Sequence, residues 1–185
     1  MKKAIFSITL LVVVIAALNM ADLPKELRFE EIKYNYLFVM VLCILLPLSL
    51  ILTSLNLKER ANRYGCLAVS LLLTLPASFL YMVVSIDYDR LSRGGVDGRF
   101  ERIDEIEVGE SKYRLYRTNG GATTAFGLVL RKESAISEHI NLVEVIFSKY
   151  QAAESTLRLI DENSIELQIE PYSKDEHVQV VELKI

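Results

Sequence analysis

Three stretches of this 185-residue chain contain no Asp, Glu, Lys or Arg: positions 4–21, 34–57 and 64–86. A bilayer core of about 30 Å is crossed by roughly 20 apolar residues at about 1.5 Å rise each. Ala4–Met20 supplies 17 residues and is marginal, whereas Leu37–Leu55 with 19 and Cys66–Ile86 with 21 are full spans. All 45 charged residues lie outside the uncharged windows, 32 of them after residue 86. That division explains a mean hydropathy of +0.28 beside a charged fraction of 24%. It excludes both a purely soluble globule and a bundle held wholly within the membrane. Tyr34, Tyr36, Tyr64 and Tyr88 flank the second and third spans, where aromatic side chains anchor at the interface.

The fold expected is therefore three transmembrane α-helices followed by a small all-β extracytoplasmic domain, an antiparallel sandwich or barrel. Residues 1–86 form the membrane part (spans 4–20, 37–55 and 66–86), 87–98 a glycine-containing linker or stalk, and 99–185 the β domain. Basic residues set the orientation. Lys2, Lys3, Lys58, Arg60 and Arg63 lie on one side with a single acid, Glu59. The loop Ala21–Lys33 carries Lys25, Arg28 and Lys33 against Asp22, Glu26, Glu30 and Glu31. The N-terminus is expected inside and the C-terminal domain outside. From Asp87 onward 13 basic and 19 acidic residues give a net charge of −6, in keeping with that placement. The first segment also resembles a signal peptide. Cleavage after Ala21 or Ala17 would put Asn19 or Ile15 at the −3 position, so an uncleaved helix is the better reading.

Within the spans no ionisable side chain marks an ion path. Pro47 and Pro76 both fall roughly 14 Å from the tight inner loop. Each crowds the carbonyl four residues back, at Cys43 and Leu72, which predicts paired kinks near mid-bilayer. Ser70, Thr74 and Ser78, with Ala77 beside them, make a small-residue face suited to close helix packing. It either packs on the second helix or forms a groove for a foreign one. Asp22 as N-cap with Pro24 in the first turn, and Leu23 and Leu27 one turn apart, predict a short helix in the outer loop.

Period-two alternation takes over after residue 99. Strands are expected at 102–108, 113–117, 124–131, 141–148, 157–160, 165–169 and 178–185, with a helical turn at 151–155. Asn119-Gly120 is a hairpin signal. Gly120 and Gly121 could also expose backbone N–H groups to an anion. With Arg114, Arg117 and Arg131 on the flanking strands, the segment is a candidate recognition loop for a polar or anionic partner, the alternative being a plain turn with solvated arginines.

No catalytic motif is found: no Gly-x-Ser-x-Gly, Ser-x-x-Lys or His-Glu-x-x-His. The only histidines, His139 and His177, have no ligand spacing around them, and the two cysteines, Cys43 and Cys66, fall in the membrane segments. No metal, cofactor or nucleic-acid partner is expected, and neither is an enzyme.

The run Tyr113-Arg114-Leu115-Tyr116-Arg117-Thr118-Asn119-Gly120-Gly121-Ala122-Thr123-Thr124-Ala125-Phe126-Gly127, continuing to Arg131, resembles a motif in small uncharacterised bacterial inner-membrane proteins. The resemblance implies that setting and carries no activity. The expected function is a non-enzymatic inner-membrane interaction protein whose partners are the lipid bilayer and another protein. Its most concrete form is an immunity protein against a membrane-inserting toxin. The alternative is an envelope sensor or assembly subunit whose periplasmic β domain binds a protein.

Overall fold

The computed structural model describes residues 2–21, 23–119, 121, 124–161, 163–173 and 175–185, without the Lys2 side chain. The chain divides into two compact units, residues 1–23 with 32–94 and residues 24–31 with 95–185.

The first unit is helical: α1 (Lys2–Met20), α2 (Ile32–Asn56) and α3 (Arg60–Ser92). All three are long and apolar enough to cross a membrane. Both proline-bearing helices run through Pro47 and Pro76. α2 is central and packs on both α1 and α3. Small polar side chains sit at these contacts, where they let backbones approach and bond across helices. Thr9 Oγ1 donates to the Ser49 carbonyl at 3.1 Å and lies 2.7 Å from Thr53 Oγ1. Ser70 Oγ donates to the Pro47 carbonyl at 2.9 Å. Residues 87–92, expected as linker, are instead the last turns of α3. The helix is prolonged there by charged residues, with Asp89 paired to Arg93 one turn on at 2.7 Å, a favourable helical spacing. It stops where Gly94 takes a left-handed φ of +81°, a common helix terminator.

The second unit is all β. Its strands are β1 (Lys25–Phe29), β2 (Phe100–Val108), β3 (Ser111–Asn119), β4 (Phe126–Ser137), β5 (Ile140–Tyr150), β6 (Ser155–Asp161), β7 (Ser164–Ile169) and β8 (Gln179–Lys184). They form a five-stranded sheet, β1-β5-β4-β3-β2, and a three-stranded sheet, β6-β7-β8. All pairings are antiparallel. The two sheets share one core, with Tyr113, Leu115, Leu128 and Leu130 from the larger and Leu157, Ile165, Leu167 and Ile169 from the smaller. Two sheets about a common core make a sandwich, not a barrel. A bulge in β2 between Arg102 and Asp104 links them. Asp104 Oδ2 accepts the backbone N–H of Leu157 on β6 at 2.8 Å, while Ile103 packs against the core.

Two local expectations are overturned. The loop between α1 and α2 does not form a helix: Lys25–Phe29 is strand β1, paired with β5 from Lys25↔Glu144 to Phe29↔Ile140. Alternate residues Lys25, Leu27 and Phe29 fit a strand as well as Leu23 and Leu27 fit a helix, and pairing with β5 decides. The proposed cap, Asp22, lies outside the described residues. The 151–155 segment is not helical either. Gln151 adopts φ 55°, Ala152 is fully buried and donates its N–H to the Phe126 carbonyl at 3.1 Å, and Ser155 already opens β6.

Candidate functional site

The β3–β4 register settles where the three candidate arginines stand. Asn119 pairs with Phe126, Arg117 with Leu128 and Arg114 with Arg131. Six residues therefore join the strands, so Asn119-Gly120 is not a two-residue turn. Within this connection Gly121 takes φ +116°. Its N–H donates to Asn119 Oδ1 at 3.0 Å, and its carbonyl accepts Thr124 Oγ1 at 3.0 Å. The Gly121 donor expected to be open to an anion is thus occupied by Asn119. Gly120 lies outside the described residues. Gly127, just beyond, is glycine for a steric reason: a Cβ there would lie 2.8 Å from Thr118 Oγ1 and 3.1 Å from the Lys149 carbonyl.

Arg114, Tyr116, Arg131 and Glu133 alternate with the core residues and point to the other face of the five-stranded sheet. Arg114 is the centre of a charged cluster there. Its Nη1 donates to Glu133 Oε2 at 2.6 Å, its Nε to Glu105 Oε2 at 2.6 Å and its Nη2 to Glu30 Oε1 at 2.8 Å. Tyr116 Oη donates to Glu133 Oε1 at 2.8 Å, and the Asn141 amide donates to Glu30 Oε2. Three carboxylates surround this one guanidinium on β3, from β2, from β4 and from the residue that follows β1, and Asn141 brings in β5. Burial works against the Arg114 cation, but its hydrogen bonds to Glu30 and Glu105 and the Glu133 charge outweigh it and hold its pKa above the ordinary value. The Arg114 hydrogen bond lowers the Glu30 carboxyl against the effect of burial. At Glu105 burial pushes upward, and the hydrogen bond and charge of Arg114 together bring the net value below normal. Burial, reinforced by Glu133, raises the Tyr116 phenol.

Arg117 pairs with Glu101 at 2.6 Å and lies 5.5 Å from the Phe126 ring centre. Arg131 lies over two aromatic rings that meet edge to face, 4.5 Å from the Phe100 centroid and 5.1 Å from that of Tyr116. The sequence reading missed Glu30, Glu105, Glu133 and Asn141. Period-two alternation could have placed Glu133 on the face of Arg131, but Glu30 is 84 residues from Arg114 and no local signal links them.

In the helical unit, the small-residue face divides. Ser70 is fully buried on α2, and Thr74 turns its hydroxyl back to the Ser70 carbonyl at 2.8 Å. Ala77 is half-buried, and Ser78 and Pro76 are exposed, whereas Pro47 is buried. Among the described residues no group of His, Cys, Asp and Glu side chains is arranged to hold a metal ion. No protein-family model, curated protein or solved structure matches the chain.

Proposed function

We propose that this chain is a non-enzymatic interaction protein of the bacterial inner membrane, most concretely an immunity protein that opposes a membrane-inserting toxin. In this reading the N-terminus is cytoplasmic and the β sandwich periplasmic. The observation that carries it is the unused half of the small-residue face. Ser70 closes on the Pro47 carbonyl, whereas half-buried Ala77 and exposed Ser78, about two turns further on, lie beside exposed Pro76. Such a surface admits a close helix–helix approach, and a proline within it leaves a backbone carbonyl free of its usual donor.

The test is toxin-induced depolarisation of cells with and without this protein. Ser78→Leu and Ala77→Leu, which crowd the open surface without touching Ser70, are expected to abolish protection while the protein still accumulates in the membrane. Undiminished protection would overturn the groove. A second reading, an envelope sensor or assembly subunit, is favoured by one separate observation. Strand β1 is the connection between α1 and α2 and also an edge of the five-stranded sheet, so helix displacement would pull directly on the sandwich. Loss of partner crosslinking on disrupting β1 pairing, with protection unaffected by Ser78→Leu, would favour that reading.

A further inference from the structure

On the outer face of the five-stranded sheet, one arginine lacks the carboxylate that its neighbours have. Arg114 meets three glutamates, Arg117 meets Glu101 and Arg28 meets Glu26. Arg131, directly opposite Arg114 in the register, has no carboxylate oxygen within 4.0 Å among the described residues. Its Nε is buried with no hydrogen-bond partner. The nearest candidates are already engaged: Glu133 accepts from Arg114 and Tyr116 through its two oxygens, and Glu26 accepts from Arg28. Burial first, and then the nearby Arg28 charge, lowers the Arg131 pKa against the opposing effects of Tyr116, Glu133 and Glu26, and both of those carboxylates spend their ion pairs on other arginines. A desolvated charge without a directly bonded carboxylate is costly, and a buried donor with no acceptor from the protein is one that a bound anion can satisfy. Phe100 and Tyr116 hold the guanidinium close by, and a guanidinium can seat a tetrahedral or planar oxyanion through paired N–H bonds.

Arg28 belongs to β1. Four residues separate that strand from α1 and two separate it from α2, so covalent continuity alone keeps it close along the chain to two membrane-helix ends. The concentrated oxyanion at such a boundary is the lipid phosphate.

We propose that Arg131, lying over Phe100 and Tyr116 and supported by Arg28, is a phosphate-binding site that takes an anionic lipid headgroup. The site does not depend on the immunity reading. The full chain, labelled with 15N-arginine in uncharged detergent, is titrated with phosphatidylglycerol and, separately, with inorganic phosphate. Sodium chloride and sodium acetate serve as ionic controls. The Arg131 Nε–H resonance is assigned by its loss in Arg131→Lys, which keeps the charge and the stem. A saturable shift with the lipid alone makes the lipid the source. A saturable shift with inorganic phosphate as well, or instead, keeps the phosphate site and makes free phosphate a ligand. Phe100→Leu, which retains the cation and removes one aromatic wall, is expected to weaken either titration several-fold. No saturable shift with either phosphate source, or an equal shift with chloride or acetate, overturns the proposal.

Discussion

Arg114 has only 7% of its side chain exposed and carries hydrogen bonds to three carboxylates. Removing a partner from a buried ion cluster costs more than the cluster contributes, because the remaining charges stay desolvated. Arg114→Met should therefore destabilise the full chain by about 3 kcal/mol in chemical denaturation. Arg117→Met should cost under about 1 kcal/mol, because the Arg117–Glu101 pair is solvent-screened, with 29% and 42% of the two side chains exposed. A pH dependence follows from the same geometry. The Glu30 and Glu105 carboxyls lie below their ordinary value of 4.5, so the unfolded chain binds their protons more readily than the folded one. The stability they contribute is fully present above that value and is lost as pH falls through their lower folded values. In Arg114→Met the same carboxylates repel one another and gain from protonation. The stability gap between wild type and variant should thus narrow as pH falls from 7, through the raised carboxyl values of the variant and then the lowered ones of the wild type; a gap that widens on acidification would contradict the cluster. Alternation in Tyr113–Arg117 was legible as a strand, and it put Arg114 and Tyr116 on one face. It did not tell whether that face was solvated, because the deciding partner, Glu30, reaches β3 only through β1.

Among the elements, β1 and the β3–β4 connection were the least legible. A stretch as short as Lys-Glu-Leu-Arg-Phe has no periodicity of its own that distinguishes strand from helix turn. Its charged residues suit an edge strand, where they discourage further pairing. Asn119-Gly120 carried the usual hairpin signal, but the Asn119↔Phe126 pairing sets a longer connection, and Gly127 marks close backbone approach. The long helices, in contrast, were visible from the absence of charge alone. Their packing was visible in part: small residues at every fourth position of α3 indicated a close face, yet only its Ser70 end is buried. Ser70→Ala, which removes the hydroxyl that donates to Pro47 and adds no bulk, should cost about 0.6–1.7 kcal/mol, the range of interhelical hydrogen bonds in membranes. Ser78→Ala should be neutral within about 0.5 kcal/mol. Both are measurable by SDS-titration unfolding in mixed micelles. Equal costs at the two positions would mean that Ser78 also packs internally, which would remove the surface on which the immunity reading rests.

At the scale of the molecule, two independent lines bear on the same point. If all three helices cross, the loop between α1 and α2 lies on the same side of the membrane as everything after α3. Separately, that loop pairs with β5 inside the second unit, from Lys25↔Glu144 onward. Lys25 and Glu144 form an ion pair at 3.1 Å with both side chains well exposed, so replacing them disturbs little. Directly opposed residues on antiparallel strands have Cβ atoms about 4.5–5.5 Å apart, close enough for a disulfide after slight backbone adjustment. The native cysteines, Cys43 and Cys66, lie in α2 and α3 and are free. A Lys25→Cys, Glu144→Cys chain with a protease site inserted between Gly94 and Gly95 should yield fragments that stay joined on a non-reducing gel and separate with reductant. If the sandwich is periplasmic, the bridge should form in intact cells without added oxidant, because disulfides persist in that compartment and not in the cytosol. Bridge formation only after lysis with an oxidant would keep the β1–β5 pairing but place the sandwich in the cytosol, reversing the orientation drawn from the basic residues. Failure to bridge under any condition would reject β1 as a member of the sheet.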